Sequence, residues 1–186
     1  MTVAVFCGSS SGNSVDFVNA TKELGKYFAQ NGIDIVYGGG KVGLMGTIAD
    51  SIMQNGGKVY GVIPEYLKDK ELAHETVTKL EVVPGMHERK ALMAEKADAF
   101  VALPGGAGTL EEIFEVWTWA QLGFHTKPCA FFNINGFYDK LFEMLENMCE
   151  KEFMKKEYFN KLIKTDNKEE LLKAMQNYIP PKKKWD

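Results

Sequence analysis

The sequence predicts an α/β fold, a doubly wound parallel sheet with helices on both faces. Three observations carry that reading. Short apolar runs, such as Ala99-Phe100-Val101-Ala102-Leu103, suit strands buried on both sides of a parallel sheet. These runs alternate with longer segments of helical periodicity along the chain. Glycine-rich loops follow three of the runs, at the strand ends where open α/β sheets bind ligands.

Taken in order, Thr2-Val3-Ala4-Val5-Phe6-Cys7 is a first strand. It opens into Gly8-Ser9-Ser10-Ser11-Gly12-Asn13-Ser14, which is either a polar connection or a ligand contact. A helix follows, with Phe17, Ala20, Leu24 and Phe28 at helical spacing, and ends at Asn31-Gly32. Ile33 to Tyr37 is the second strand, and Gly38 to Gly46 the second glycine loop. Gly38, Gly40 and Gly43 match G-x-G-x-x-G, but no acidic residue closes the next strand at the usual distance. Lys41 is followed by Val42, so the loop is no Walker A motif either. We read this segment, Gly39 and Gly40 included, as a second glycine-lined wall of one pocket.

Lys58 to Ile63 is the third strand, and Glu65 to Glu75 an irregular charged loop with the length of a substrate-contact segment. Lys79 to Val83 is a strand closed by Pro84-Gly85. Met86-His87-Glu88-Arg89-Lys90 opens a helix, with two cations in a first turn that the helix dipole disfavours. After the central helix, Cys129 to Ile134 is another buried strand. Helices are expected at about 137–152, 155–163 and 168–178, and the lysine-rich tail 181–186 reads as solvated. We take residues 1–180 as a single domain.

The loop Pro104-Gly105-Gly106-Ala107-Gly108-Thr109 is the most informative segment. One glycine would serve a tight turn; three in four positions let a ligand lie against bare backbone. Thr109 reads as the N-cap of a helix running to about Gly123. Free amides and the helix dipole converge at such a point and favour an anion, here a phosphate. Thr109-x-x-Glu112 is also a capping box, so Glu112 is either a cap or a chemical group. A carboxylate beside a bound phosphate needs a cation between them. Of 22 basic side chains Arg89 alone is an arginine, which points to a need for its planar fork. The helix itself leaves only Glu115, Thr118 and Gln121 as a narrow polar stripe, so a partner chain is the natural cover for a second side.

Composition excludes several classes. The net charge of −3 argues against a nucleic-acid binder. No apolar run approaches the roughly 20 residues that cross a bilayer. Cys7, Cys129 and Cys149 are widely spaced, suggest no zinc or other metal site, and read as buried reduced thiols of a cytoplasmic protein.

Met86-His87-x-Arg89-Lys90, followed by Pro104-Gly105-Gly106-x-Gly108-Thr109-x-x-Glu112, resembles the LOG family, the cytokinin riboside 5′-monophosphate phosphoribohydrolases. Gly8-Ser9-Ser10, the Gly38 to Gly46 segment, Thr118 to Gly123 and Lys127-Pro128 extend the likeness over nearly the whole chain. The resemblance implies a Rossmann-like homodimer, joined through the aromatic helix 109–123. Its activity would be cleavage of the N-glycosidic bond of an AMP-type nucleotide, without cofactor or metal, to free base and ribose 5-phosphate. It implies Arg89 and Glu112 as the catalytic pair. Substrate contacts would come from Glu71, Lys90, Gly105, Gly106, Ala107, Gly108, Thr109, Leu110, Glu111 and Thr118, beside the loop residues Gly8, Ser9, Gly39 and Gly40. Members are often labelled lysine decarboxylases, but a pyridoxal-phosphate enzyme of that kind needs a far larger chain and a Schiff-base lysine. The rival reading is a nucleotide-binding sensor or carrier that uses the same pocket without turnover.

Overall fold

The computed structural model describes residues 1–69 and 72–182. Glu71, expected to touch substrate, and the last residues of the 181–186 tail lie outside the described residues.

Seven strands form one parallel sheet: β1 Thr2–Phe6, β2 Asp34–Tyr37, β3 Val59–Pro64, β4 Lys79–Val83, β5 Ala99–Ala102, β6 Cys129–Phe132 and β7 Ile163–Thr165, in the order β4-β3-β2-β1-β5-β6-β7. The central pair is in register Val3 to Ala99 and Phe6 to Ala102. Both strands are almost wholly buried over that pairing, as their continuous apolar composition demands. The strand order reverses between β1 and β5, so their C-terminal loops part there and leave a crevice.

Helices cover both faces. On one, α1 Val15–Gln30, α2 Gly43–Gln54 and α7 Lys168–Gln176 bury Leu24, Phe28, Ile48, Ile52 and Leu171. On the other, α3 Met86–Lys96, α4 Ala107–Leu122, α5 Asp139–Glu150 and α6 Lys156–Lys161 bury Met93, Ile113, Trp117, Leu145 and Phe159. Phe131 sits at the heart of this second layer, edge-on to Phe114, Tyr138 and Phe142. Helix α1 starts at Ser14, whose hydroxyl accepts the Asp16 amide, and α4 stops at Gly123 in the left-handed region (φ 84°).

The structure corrects the reading in three places. The central helix begins at Ala107, with Gly106 as N-cap and no side-chain cap, so Thr109 is not the cap and the Thr109–Glu112 capping box is not formed. A bare glycine can serve there because the amides it exposes are left for something other than a side chain. Strand β7 falls where a helix to 163 was expected; its sequence Ile-Lys-Thr is too short and polar to show as an apolar run. Cys149 is only partly buried, unlike Cys7 and Cys129, and all three thiols are free.

Candidate active site

The loops after β1, β2 and β5 and the start of α3 enclose a cleft of about 220 Å³. Its floor is the end of β1, Val5 and Cys7, with Gly8 and Ser9 beyond. Gly38 and Met45 form one side, Met86 and Arg89 another, and Gly106, Gly108, Thr109, Glu111 and Glu112 a third; Leu67 closes the rim.

The β5 loop is held by backbone packing. The Gly8 amide donates to the Pro104 carbonyl (3.0 Å), and the Leu44 amide to that of Gly8 (3.1 Å). The Thr109 side chain is buried over Gly105, where any Cβ would collide with it and with the Gly8 amide. Thr109 therefore locks the loop instead of capping the helix. The first intrahelical bond runs from the Leu110 amide to the Gly106 carbonyl (3.2 Å), so the amides of Ala107, Gly108 and Thr109 precede it at the N-terminal end of α4. Those donors and the positive end of the dipole are the features that favour an anion at a helix start.

Arg89 faces it from α3. Although charged, the residue is only 5% exposed. Its Nη2 lies 3.9 Å from Glu112 Oε1, and Nη1 reaches Met86 Sδ at 3.8 Å. The guanidinium rests on the α-carbon of Gly38, where a Cβ would overlap it. Glu112 stands in the second turn of α4, with its side chain 11% exposed. Burial pushes the Cys7 thiol well up, with Glu112 adding to the effect and Arg89 opposing it, so the thiol at the floor is neutral.

Lys90, next along α3, does not line this cleft. Its ammonium is held by Glu111 Oε1 at 2.6 Å and by Glu115 Oε2 at 3.0 Å. Burial alone would lower its pKa, but the two carboxylates reverse that and raise it. Gly8, Ser9, Gly106, Gly108, Thr109, Glu111, Glu112 and Arg89 thus converge on one space. Ala107 and Leu110 belong to the same helical turn without lining the cleft. Gly105 supports the loop from behind. Thr118 is exposed farther along α4, away from the cleft. Gly39 and Gly40 face the connection after β3 instead, their backbones bonded to His74 and bridged to Ala73. Gly38 and Met45 line the cleft within the glycine loop read as a pocket wall, whereas Val5, Cys7, Leu67 and Met86 were missed as lining residues; for Val5 and Cys7 the available signal was their place at the end of the first strand.

The family model described as "Possible lysine decarboxylase" matches residues 45–175. The cytokinin riboside 5′-monophosphate phosphoribohydrolase LOG1 of Arabidopsis thaliana is 43% identical over 99% of this chain and 89% of its own length. The rice enzyme LOG (Oryza sativa subsp. japonica), with the same activity in its name, is 44% identical over 96% of this chain and 74% of its own. This chain belongs to the LOG family. The fold recurs in solved structures of much lower identity. A molybdenum cofactor carrier protein from Chlamydomonas reinhardtii has a TM-score of 0.70 at 18% identity, covering 95% of this chain and 96% of that one. A molybdenum cofactor binding protein from Rippkaea orientalis has 0.70 at 19%, covering 94% of each. The description attached to the family would call for pyridoxal phosphate, and the LOG cleft does not suit it: among the described residues no lysine lines it, and the nearby Lys90 ammonium is held by two carboxylates.

Proposed function

We infer that this LOG-family chain is a cytokinin riboside 5′-monophosphate phosphoribohydrolase, an N-glycosyl hydrolase that releases the base and ribose 5-phosphate from an AMP-type nucleotide. The observation that carries the reading is the buried Arg89–Glu112 pair at 3.9 Å, set beside the uncapped start of α4.

In this reading the amides of Ala107, Gly108 and Thr109 receive the 5′-phosphate, which puts the ribose over Glu112. As the bond from C1′ to the base nitrogen breaks, positive charge grows on the sugar, and the Glu112 carboxylate stabilises it electrostatically. Water attacks C1′; its oxygen forms the new bond, Glu112 accepts its proton, and the base departs with the bonding electron pair and takes up a proton from solvent, to which Glu112 returns its own. Arg89 lies between two anions, the phosphate and Glu112, and orients the carboxylate while offsetting their repulsion. Glu111 borders the same space as a substrate contact, and Lys90, outside the cleft, holds the Glu111 carboxylate in place.

Several finer points belong to the same proposal. Residues 1–180 act as one nucleotide-binding domain. Two copies pair through α4, where Leu110, Phe114 and Trp119 are only partly covered and Phe124, just past its end, is 76% exposed. The free thiols suit a cytoplasmic setting, and among the described residues no helix is long and apolar enough to cross a membrane. The carrier reading has fold likeness behind it, yet that likeness is at 18–19% identity and speaks to fold alone. Incubating the protein with AMP and with N6-isopentenyl-AMP separates the two: an enzyme releases base and ribose 5-phosphate, whereas a carrier binds nucleotide and returns it intact. AMP turnover alone would give the AMP nucleosidase form of the activity.

A further inference from the structure

The connection between β3 and β4 supplies Leu67 to the rim of the cleft; its described residues form a 3₁₀ turn at Glu65–Leu67 and a bridge from Ala73 to Gly40. Residues in such a segment hold position only if something ties them down. The strongest tie in the described part is His74. It is 1% exposed in a stretch where Leu72, Glu75 and Thr76 are exposed. Its Nε2 is 3.0 Å from Asp50 Oδ1 on α2, and its Nδ1 is 3.1 Å from Thr76 Oγ1. Its amide donates to the Gly39 carbonyl at 2.8 Å, and the Lys41 amide donates back to the Leu72 carbonyl at 2.9 Å. The Ala73 amide in turn donates to Lys68, the residue after Leu67, at 2.9 Å.

We propose that His74 is a positioning residue for the active site: it clamps the β3–β4 connection to the second glycine loop and so sets both Leu67 at the cleft rim and the backbone around Gly38, on which Arg89 rests. The chemistry fits a fixed strut. A carboxylate can only accept, so Nε2–H donates to Asp50, and in the neutral ring Nδ1 accepts from the Thr76 hydroxyl. Both ring nitrogens are then satisfied inside a site that excludes water, which makes the ring's orientation unique. The effect reaches substrate through the wall and the loop; His74 does not line the cleft. This inference rests on the hydrolase reading for its kinetic consequence but not for its structural one.

His74→Phe keeps the ring volume and removes both side-chain bonds. It strands no buried partner, since the Asp50 side chain is 49% exposed and Thr76 is at the surface. Hydrogen exchange should show the amides of Lys41, Ala73 and His74 speeding up about tenfold in that variant, with the sheet strands unchanged. With N6-isopentenyl-AMP, KM should rise about fivefold to tenfold while kcat stays within about twofold. His74→Gln, which can still donate toward Asp50, should recover most of both effects. Asp50→Ala, altering only a half-exposed side chain on α2, should reproduce the faster exchange. Unchanged exchange and KM in a folded His74→Phe protein would overturn the proposal, as would a Gln variant no better than Phe. If the wild-type chain releases no base at all, the hydrolase reading fails, and the exchange measurement still judges the clamp by itself.

Discussion

Gly38→Ala tests the heart of the site without touching a charged residue. The Arg89 guanidinium lies where an alanine Cβ would stand. Gly38 is not among the positive-φ glycines, so alanine meets no backbone strain there and should even stabilise the chain slightly by restricting its unfolded state. The whole penalty therefore falls on Arg89, which has to retreat by on the order of 1.5 Å to restore van der Waals separation. Its Nη2 is the atom that faces Glu112 at 3.9 Å, so the pair's geometry would change with it. A displacement of that size at a catalytic group costs about a hundredfold in rate. The assay is steady-state release of base from N6-isopentenyl-AMP, alongside thermal unfolding. We expect kcat about a hundredfold down, with Tm within a few degrees of wild type. In an Arg89→Ala background the same alanine should be nearly silent, because the two changes act through one side chain. Wild-type kcat in a folded Gly38→Ala protein would refute the argument, showing that the guanidinium position does not govern turnover.

Glu112→Gln removes the charge at constant shape, and kcat should fall at least about a hundredfold with little change in Tm; near-normal turnover would return Glu112 to a structural role. Arg89→Lys keeps the charge but loses the fork, and should lower kcat about tenfold to a hundredfold, since one charge-assisted bond is worth about 1.5–3 kcal/mol; a rise in KM alone would make Arg89 a binding residue only. Sedimentation at micromolar concentration should give twice the chain mass of 20.8 kDa, and Trp119→Glu should shift it to the monomer; a fully active wild-type monomer would remove the dimer from the proposal.

Much of this was legible in the residues. Strands β1 and β5 announce themselves because burial on both faces requires unbroken apolar runs, and Gly105, Gly106 and Gly108 because bare backbone at a strand end has few other uses. The edge was not legible: Ile163-Lys164-Thr165 needs apolar contact on one side only, and three residues carry no period. Nor was the start of α4. Thr109 looked like a cap because it is a threonine before an apolar-periodic run, but its side chain packs down on Gly105 and leaves capping to glycine. Local pattern cannot reveal a preference decided by a tertiary neighbour. Gly38 is the same case in reverse: its position at a strand end marked a loop, while its partner Arg89 comes from a helix two strands later.

The charges around the cleft suggest how an anion is held there. Arg89 and Lys90 face Glu111, Glu112 and Glu115, so the acidic side chains outnumber the basic ones before any phosphate arrives. Lys90 is moreover already engaged by two carboxylates. On the proposed reading, affinity for a phosphate cannot then rest on net side-chain charge; it would fall to the fixed amides at the start of α4, which need no counter-charge. That division leaves Arg89 turned toward Glu112, where its guanidinium offsets the carboxylate. It also explains why a threonine cap would be out of place at this helix: a side chain accepting from the first-turn amides would occupy the donors on which the phosphate depends. An uncapped helix start and a buried arginine are thus two parts of one arrangement, each making the other's cost tolerable.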